Sequence, residues 1–199
     1  MSATRGVHDA RPPGPGWTEA NRTARLVVYT RDNGKAGARD LVAVGEFAVA
    51  PAVVFGVLSD YDRYAEFMPY TKETRTIART SETRLQVYQR LSLPFVEDRD
   101  YVMDVLLNVG AEGAFHIAWT SAPEAVPVRA GCVRVRINSG SWEMRPLDGG
   151  ARTQLTHALQ THPGGSIPAW IVNRSNTLAI PMLFEAVRAR AAARPAARE

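Results

Sequence analysis

The chain has 199 residues, of which 45% are apolar and 22% charged, with a formal charge of +4 and a mean hydropathy of −0.19. That length supports one substantial core rather than two, and no apolar run approaches the ~18–20 residues a bilayer-spanning helix needs. The lone Cys132 excludes an internal disulfide and a thiolate-rich metal site.

The first sixteen residues are rich in Pro, Gly and Arg and have no apolar core, so residues 1–16 read as a disordered tail with no secretory signal. Thr23–Arg31 has strand composition, and Asp32-Asn33-Gly34 is a turn signal that returns the chain into Leu41–Val49, making a hairpin. Pro51 opens a short helix with Val54, Phe55 and Leu58 on one side. A second short helix follows from Asp60 to Met68-Pro69. Strands are expected over Thr71–Arg79, Arg84–Leu93, Asp100–Asn108, Ala114–Thr120, Cys132–Arg145 and Arg152–Gln160. Their alternation puts Leu85, Val87, Gln89 and Leu91 on one face, then Tyr101, Met103, Val105 and Leu107, then Phe115, Ile117 and Trp119, then Thr153, Leu155, His157 and Leu159. After the Pro163-Gly164-Gly165 stop, apolar residues recur at helical spacing from Trp170 to Val187. One long helix is therefore expected from near Ser166 to beyond Val187, bent at Pro181. The sum is about eight strands, two short helices inserted early, and one long helix at the end. This is an α+β chain in which a curved antiparallel sheet is closed by a helix. Residues 17–193 form the domain, and 194–199 fray.

Several chemistries lack their residues. There is no Gly-x-Ser-x-Gly, and His116, His157 and His162 have no evident nucleophile partner, so no hydrolase triad is expected. Glu97, Asp98 and Asp100 cluster without a His at ligand spacing, which reads as a solvated acidic turn or as pairing with Arg99; no metal or other cofactor is expected. The glycine turns match no phosphate-loop or dinucleotide fingerprint. Aromatic residues fall on apolar faces rather than among the arginines, so a nucleic-acid partner is not expected. Gln89, His157, Asn173 and Arg174 are polar residues on or near apolar faces. They read either as satisfied core groups or as the few polar groups that orient a ligand in an apolar pocket.

Four segments together resemble a known family. Val54–Asp60 with Tyr64-Ala65-Glu66-Phe67-Met68-Pro69 looks like the helical segment of START domains. Leu93-Pro94-Phe95 followed by Asp98-Arg99-Asp100-Tyr101-Val102 resembles the family's strand entry, Ser139-Gly140-Ser141-Trp142 its Gly-x-Trp strand, and Pro163–Arg174 the approach to its terminal helix. The segments occur in family order, and the chain is identified as a START domain of the larger Bet v 1-like (SRPBCC) group, bacterial in type. The resemblance implies a helix-grip fold, with a lipid or other apolar molecule held between sheet and helix. Val105 stands where some sterol-binding members carry an Arg, so a sterol-type buried ion pair is not expected.

On this reading the chain is a non-enzymatic carrier or sensor of a hydrophobic small molecule. Gln89, His157, Asn173 and Arg174 would be the orienting polar groups, and Tyr101, Met103, Val105, Phe115, Ile117, Trp142, Ile180 and Phe184 the apolar walls. The alternative is a polyketide aromatase/cyclase that would use His157 with Tyr101 or Arg99 as an acid–base pair. A cytoplasmic monomer is expected, and transient contact with a membrane surface stays open.

Overall fold

A computed structural model describes residues 7, 10–34, 39–162, 164–165 and 178–194. Ten strands form a single sheet: β1 (Thr18–Thr23), β2 (Leu26–Asp32), β3 (Arg39–Phe47), β4 (Thr71–Arg79), β5 (Arg84–Leu91), β6 (Asp98–Val109), β7 (Phe115–Ser121), β8 (Cys132–Arg134), β9 (Ile137–Leu147) and β10 (Arg152–His162). Their spatial order is β1-β2-β3-β10-β9-β7-β6-β5-β4, with β8 set beside β6 off this path. All neighbours along the path run antiparallel, and only the three-residue β8 lies parallel to its partner. Two short helices, α1 (Pro51–Leu58) and α2 (Tyr64–Phe67), stand between β3 and β4, and α3 (Ile180–Ala192) ends the chain.

The alternation read from sequence sets which face is inside. Leu85 and Val87, Met103 and Val105, Ile117 and Trp119, Trp142 and Met144, and Leu155 all enter one apolar cluster. The helices complete that cluster from the other side: α1 through Val54, Val57 and Leu58, and α3 through Ile180, Phe184, Val187 and Ala191. The α3 residues are spaced by four, three and four, the stripe a helix needs to bury one side. At Gly45 in β3 the Phe184 ring of α3 lies against the strand. A Cβ there would stand 2.6 Å from Cδ1 of Phe184, so glycine is what lets that ring lie on the sheet. Pro181 lies in the first turn of α3, and the residues just before it, Leu178 and Ala179, have π-helical geometry. A widened turn is one way a helix absorbs the amide hydrogen that proline lacks. The expected helix start near Ser166 lies outside the described residues.

Three sequence readings change. The polar strand β1, TEANRT, was not expected; it joins the sheet edge by pairing with β2. The single strand expected over Cys132–Arg145 is two, β8 and β9. In the break between them the Val135 amide donates to the Asp100 carbonyl, which turns the chain out of its parallel pairing with β6. Within residues 1–16, read as a tail, Val7 is buried against Val27 and Tyr29 on the outer face of the sheet. Its amide donates to Glu46 Oε1 at 2.6 Å, and the Tyr29 hydroxyl donates to the Ala10 carbonyl at 2.8 Å.

Candidate ligand-binding site

The inner face of β10, β9, β7, β6 and β5 carries the expected site residues in rows fixed by register. His157 lies opposite Trp142, which in turn lies opposite Ile117. Tyr101 lies opposite Gln89. Met103, Val105, Ile117, Trp142, His157, Ile180 and Phe184 are all buried, while Tyr101 and Phe115 are half-buried. The structure therefore gathers these residues, with Gln89, on one side of one sheet and under α3. Asn173 and Arg174 lie outside the described residues.

At one end of this face is an aromatic stack. The His157 ring lies 3.7 Å from that of Trp142 at 15°, and 5.8 Å from that of Trp119 at 26°. Trp142 in turn meets Phe184 of α3 at 6.0 Å. Gly140 makes the stack possible: a Cβ there would come within 2.7 Å of Trp119 Cζ2 and against the Ala158 carbonyl, so only glycine lets Trp119 lean across β9. Burial holds the His157 imidazolium form far from favour and lowers its pKa from 6.5 to about 4; the Ser141 carbonyl opposes this weakly. The ring is neutral at pH 7. Its Nδ1 lies 3.2 Å from that carbonyl, which only accepts, so Nδ1 carries the hydrogen and Nε2 is left as an acceptor. Beside the stack, Trp119 Nε1 donates to Asn138 Oδ1 at 3.4 Å.

At the other end, Tyr101 donates its hydroxyl to Gln89 Oε1 at 2.5 Å. Burial raises the Tyr101 pKa well above the usual phenol range, so it remains a donor. That leaves the Gln89 amide nitrogen as a donor group. Between the ends the wall is apolar, and Phe55 of α1 stacks on Phe115 at 4.8 Å. Each end thus offers an orienting polar group on an apolar surface, the pattern of small-molecule sites.

Arg99 and its acidic neighbours do not pair as expected. Asp98 meets Lys72 and Arg90, and Asp100 is held by Arg134. The Asp100–Arg134 pair is two-pronged, at 2.8 and 3.0 Å, and buried, but it sits on the outer face. There Arg134 also donates to the carbonyls of Pro123, Val126 and Pro127, fastening the loop between β7 and β8. An open groove of about 480 Å³ lies on the outer face too, lined by Arg84, Gln86, Asp104, Leu106 and Thr120 among others. Leu85, Val105 and Trp119 line it as well, so it abuts strands that also carry the inner-face rows. Among the described residues no group of His, Cys, Asp and Glu is arranged to hold a metal ion, and no helix is long and apolar enough to cross a membrane.

Sequence reasoning put Trp119 on this face without naming it a site residue, offered Arg99 only as a cyclase partner of His157, and missed Asn138. Asn138 shares the parity of Trp142 on β9, so strand alternation was the signal that could have found it.

Comparison with known proteins bears on the family and the fold. A family model described as polyketide cyclase / dehydrase and lipid transport matches residues 47–188, well over half of the chain. The chain belongs to this family. Within it, the fold is the START helix-grip. The crystal structure of a STAR-related lipid transfer protein fragment from Xanthomonas axonopodis superposes with a TM-score of 0.79 and 25% identity, covering 89% of this chain and 99% of that one. Human STARD10 superposes at 0.78 with 20% identity, covering 89% and 73%. Human StAR-related lipid transfer protein 5 superposes at 0.76 with 16% identity, covering 89% and 87%. These two human likenesses speak to the fold. An uncharacterized Pseudomonas aeruginosa protein is 33% identical over 87 residues, a stretch covering 43% of each chain. The matched stretch is thus less than half of that relative's length.

Proposed function

We propose that the protein binds one lipid-like hydrophobic molecule between the inner face of the sheet and the helix that closes it, and that it carries or senses that molecule rather than transforming it. The observation that carries this reading is the inner face itself: an apolar wall from Met103 and Val105 to Ile117 and Trp142, ended by Gln89–Tyr101 on one side and neutral His157 on the other. Burial of ~300–600 Å² of ligand surface would contribute roughly 8–15 kcal/mol of gross transfer energy before ordering costs. The Xanthomonas relative, named a lipid transfer protein, supports the same class of ligand.

A cyclase needs an acid and a base within reach of one substrate atom. His157 lies on β10 and Tyr101 on β6, three strand spacings apart, about 14 Å along the sheet. Tyr101 is already committed to Gln89, and His157 takes up a proton only near pH 4. Both facts favour a binding role over acid–base work. Transient contact with a membrane surface, where such a ligand would be exchanged, is part of the proposal. The test is native mass spectrometry of protein purified from its own host. One hydrophobic molecule per chain, removed by organic extraction and restored by added lipid, is the expected result. A chain that carries nothing and takes up no apolar probe would overturn the reading.

A further inference from the structure

Among the described residues, the inner face of β6 carries a buried cation, Arg99. Arg99 stands two residues before Tyr101 on β6, on the inward parity of Tyr101, Met103 and Val105, and opposite Leu91 of β5. Only 4% of it is exposed. A guanidinium keeps its charge at every pH a protein tolerates and offers five N–H donors. Here one donor, on Nη1, reaches the Glu97 carbonyl, and the buried Nε has no partner.

No acid among the described residues neutralises it. The two acids flanking it point to the other face and are already claimed, Asp98 by Lys72 and Arg90 and Asp100 by Arg134. Glu73, the next carboxylate along the edge, is shared by Arg75, Arg90 and Arg129. Glu97 is exposed and contributes only its carbonyl. The backbone over the guanidinium is Gly165, where a Cβ would lie 3.8 Å from Nη2. The stretch that follows brings no counter-charge, because no Asp or Glu occurs between Asp148 and Glu185. The other buried arginines with an orphan Nε differ in kind: Arg90 meets Glu73 and Asp98, and Arg188 meets Glu185. A buried charge with no partner costs several kcal/mol, so chains keep one where something completes it.

We propose that Arg99 is a head-group site: it takes the carboxylate or phosphate of an anionic amphipath whose tail runs past Tyr101 and Gln89 toward Met103 and Val105. This rests on the proposed hydrophobic binding and narrows its ligand to a molecule with one anionic end. Tyr101 and Gln89 sit one step further in, at the depth of a polar group just behind the head, and the wall beyond them is apolar. A two-oxygen anion suits the guanidinium fork better than a neutral hydroxyl does.

The test uses the full chain after organic extraction, at pH 8, with three probes. These are cis-parinaric acid, its methyl ester, and a pyrene-labelled phosphatidic acid. Wild-type protein should bind parinaric acid, the phosphatidic acid, or both, at least tenfold more tightly than the ester. Arg99→Gln should remove most of that advantage and leave ester binding within twofold, while Arg99→Lys should keep part of it. Loss confined to parinaric acid identifies a carboxylate head, and loss confined to the phosphatidic acid identifies a phosphate. Ester binding equal to that of both anions in the wild type, or Arg99→Gln weakening acid and ester alike, overturns the head-group site while leaving hydrophobic binding in place. Failure of all three probes removes both. Should Arg99→Gln not fold, the wild-type comparison of acid with ester still decides.

Discussion

Acidification should destabilise this protein through His157, and by an amount the stack determines. In the unfolded chain the ring takes its proton near pH 6.5; in the native state burial between Trp142 and Trp119 delays this to about 4. Between those values the unfolded state binds more protons than the native state, so stability falls as the pH falls through the window and levels off below it. Each pH unit of separation contributes about 1.4 kcal/mol. The full loss is therefore about 3 kcal/mol, with about 2.5 kcal/mol of it already present at pH 4.5. The perturbation is His157→Phe, which keeps an aromatic ring in the stack and removes the titration. It also leaves the Ser141 carbonyl without its donor, a cost of about 1 kcal/mol that does not vary with pH. Urea unfolding of both proteins at pH 7.5, 5.5 and 4.5 gives the comparison. Carboxylates add a slope of their own, but it is common to both and cancels. The variant should be the less stable protein at pH 7.5 and gain about 2.5 kcal/mol on the wild type by pH 4.5. Parallel pH profiles would show that His157 is not buried as a neutral base.

The remaining predictions use other parts of the molecule. Asp100→Asn leaves the buried Arg134 guanidinium without its carboxylate, so a loss of about 3–5 kcal/mol in urea unfolding is expected; under 1 kcal/mol would mean that water reaches the pair. Gly45→Ala places a Cβ into the Phe184 ring and must push α3 outward. A loss of about 1–3 kcal/mol is expected, with weaker apolar-probe uptake, and unchanged thermal unfolding would contradict the close approach. Deleting residues 1–16 removes Val7 from Val27 and Tyr29. At about 1.5–3 kcal/mol for one buried valine, and about 2–4 °C per kcal/mol for a domain this size, the midpoint should drop by several degrees; a change under 1 °C would place Val7 outside the fold.

Much of the architecture was legible because period-two alternation is strict where one face of a strand is buried. In β5, β6, β7 and β10 the inward apolar residues read from sequence enter the core or pack against it, Leu91 at the end of β5 excepted. β1 gave no such signal, since TEANRT has no apolar face and is a strand only because β2 offers it an edge. β8 is set by its parallel partner β6 and by the tie from its own Arg134 to Asp100, and neither β6 nor Asp100 is local in sequence. The site was half legible. Gln89 and His157 stood out as polar residues on apolar faces, and the structure pairs Gln89 with Tyr101 as register requires. Arg99 was misread because Glu97, Asp98 and Asp100 surround it in sequence. On a strand, nearest neighbours in sequence point to opposite faces, so proximity along the chain is not proximity of charge. Sequence alone also gives no sign of how Gly140 brings Trp119 onto the stack, a consequence of three strands in register.

The central claim is that a hydrophobic ligand lies on the inner face of the sheet, under α3. Photocrosslinking tests it most directly: a fatty acid with a diazirine at mid-chain is loaded into the extracted protein, irradiated, and the adducts are mapped by peptide mass spectrometry. Adducts on inner-face residues such as Met103, Val105, Trp119, Trp142 and Phe184, suppressed by excess unlabelled lipid, are the predicted result. Adducts confined to the outer groove at Gln86, Asp104 and Thr120, with the inner face unlabelled, would contradict it.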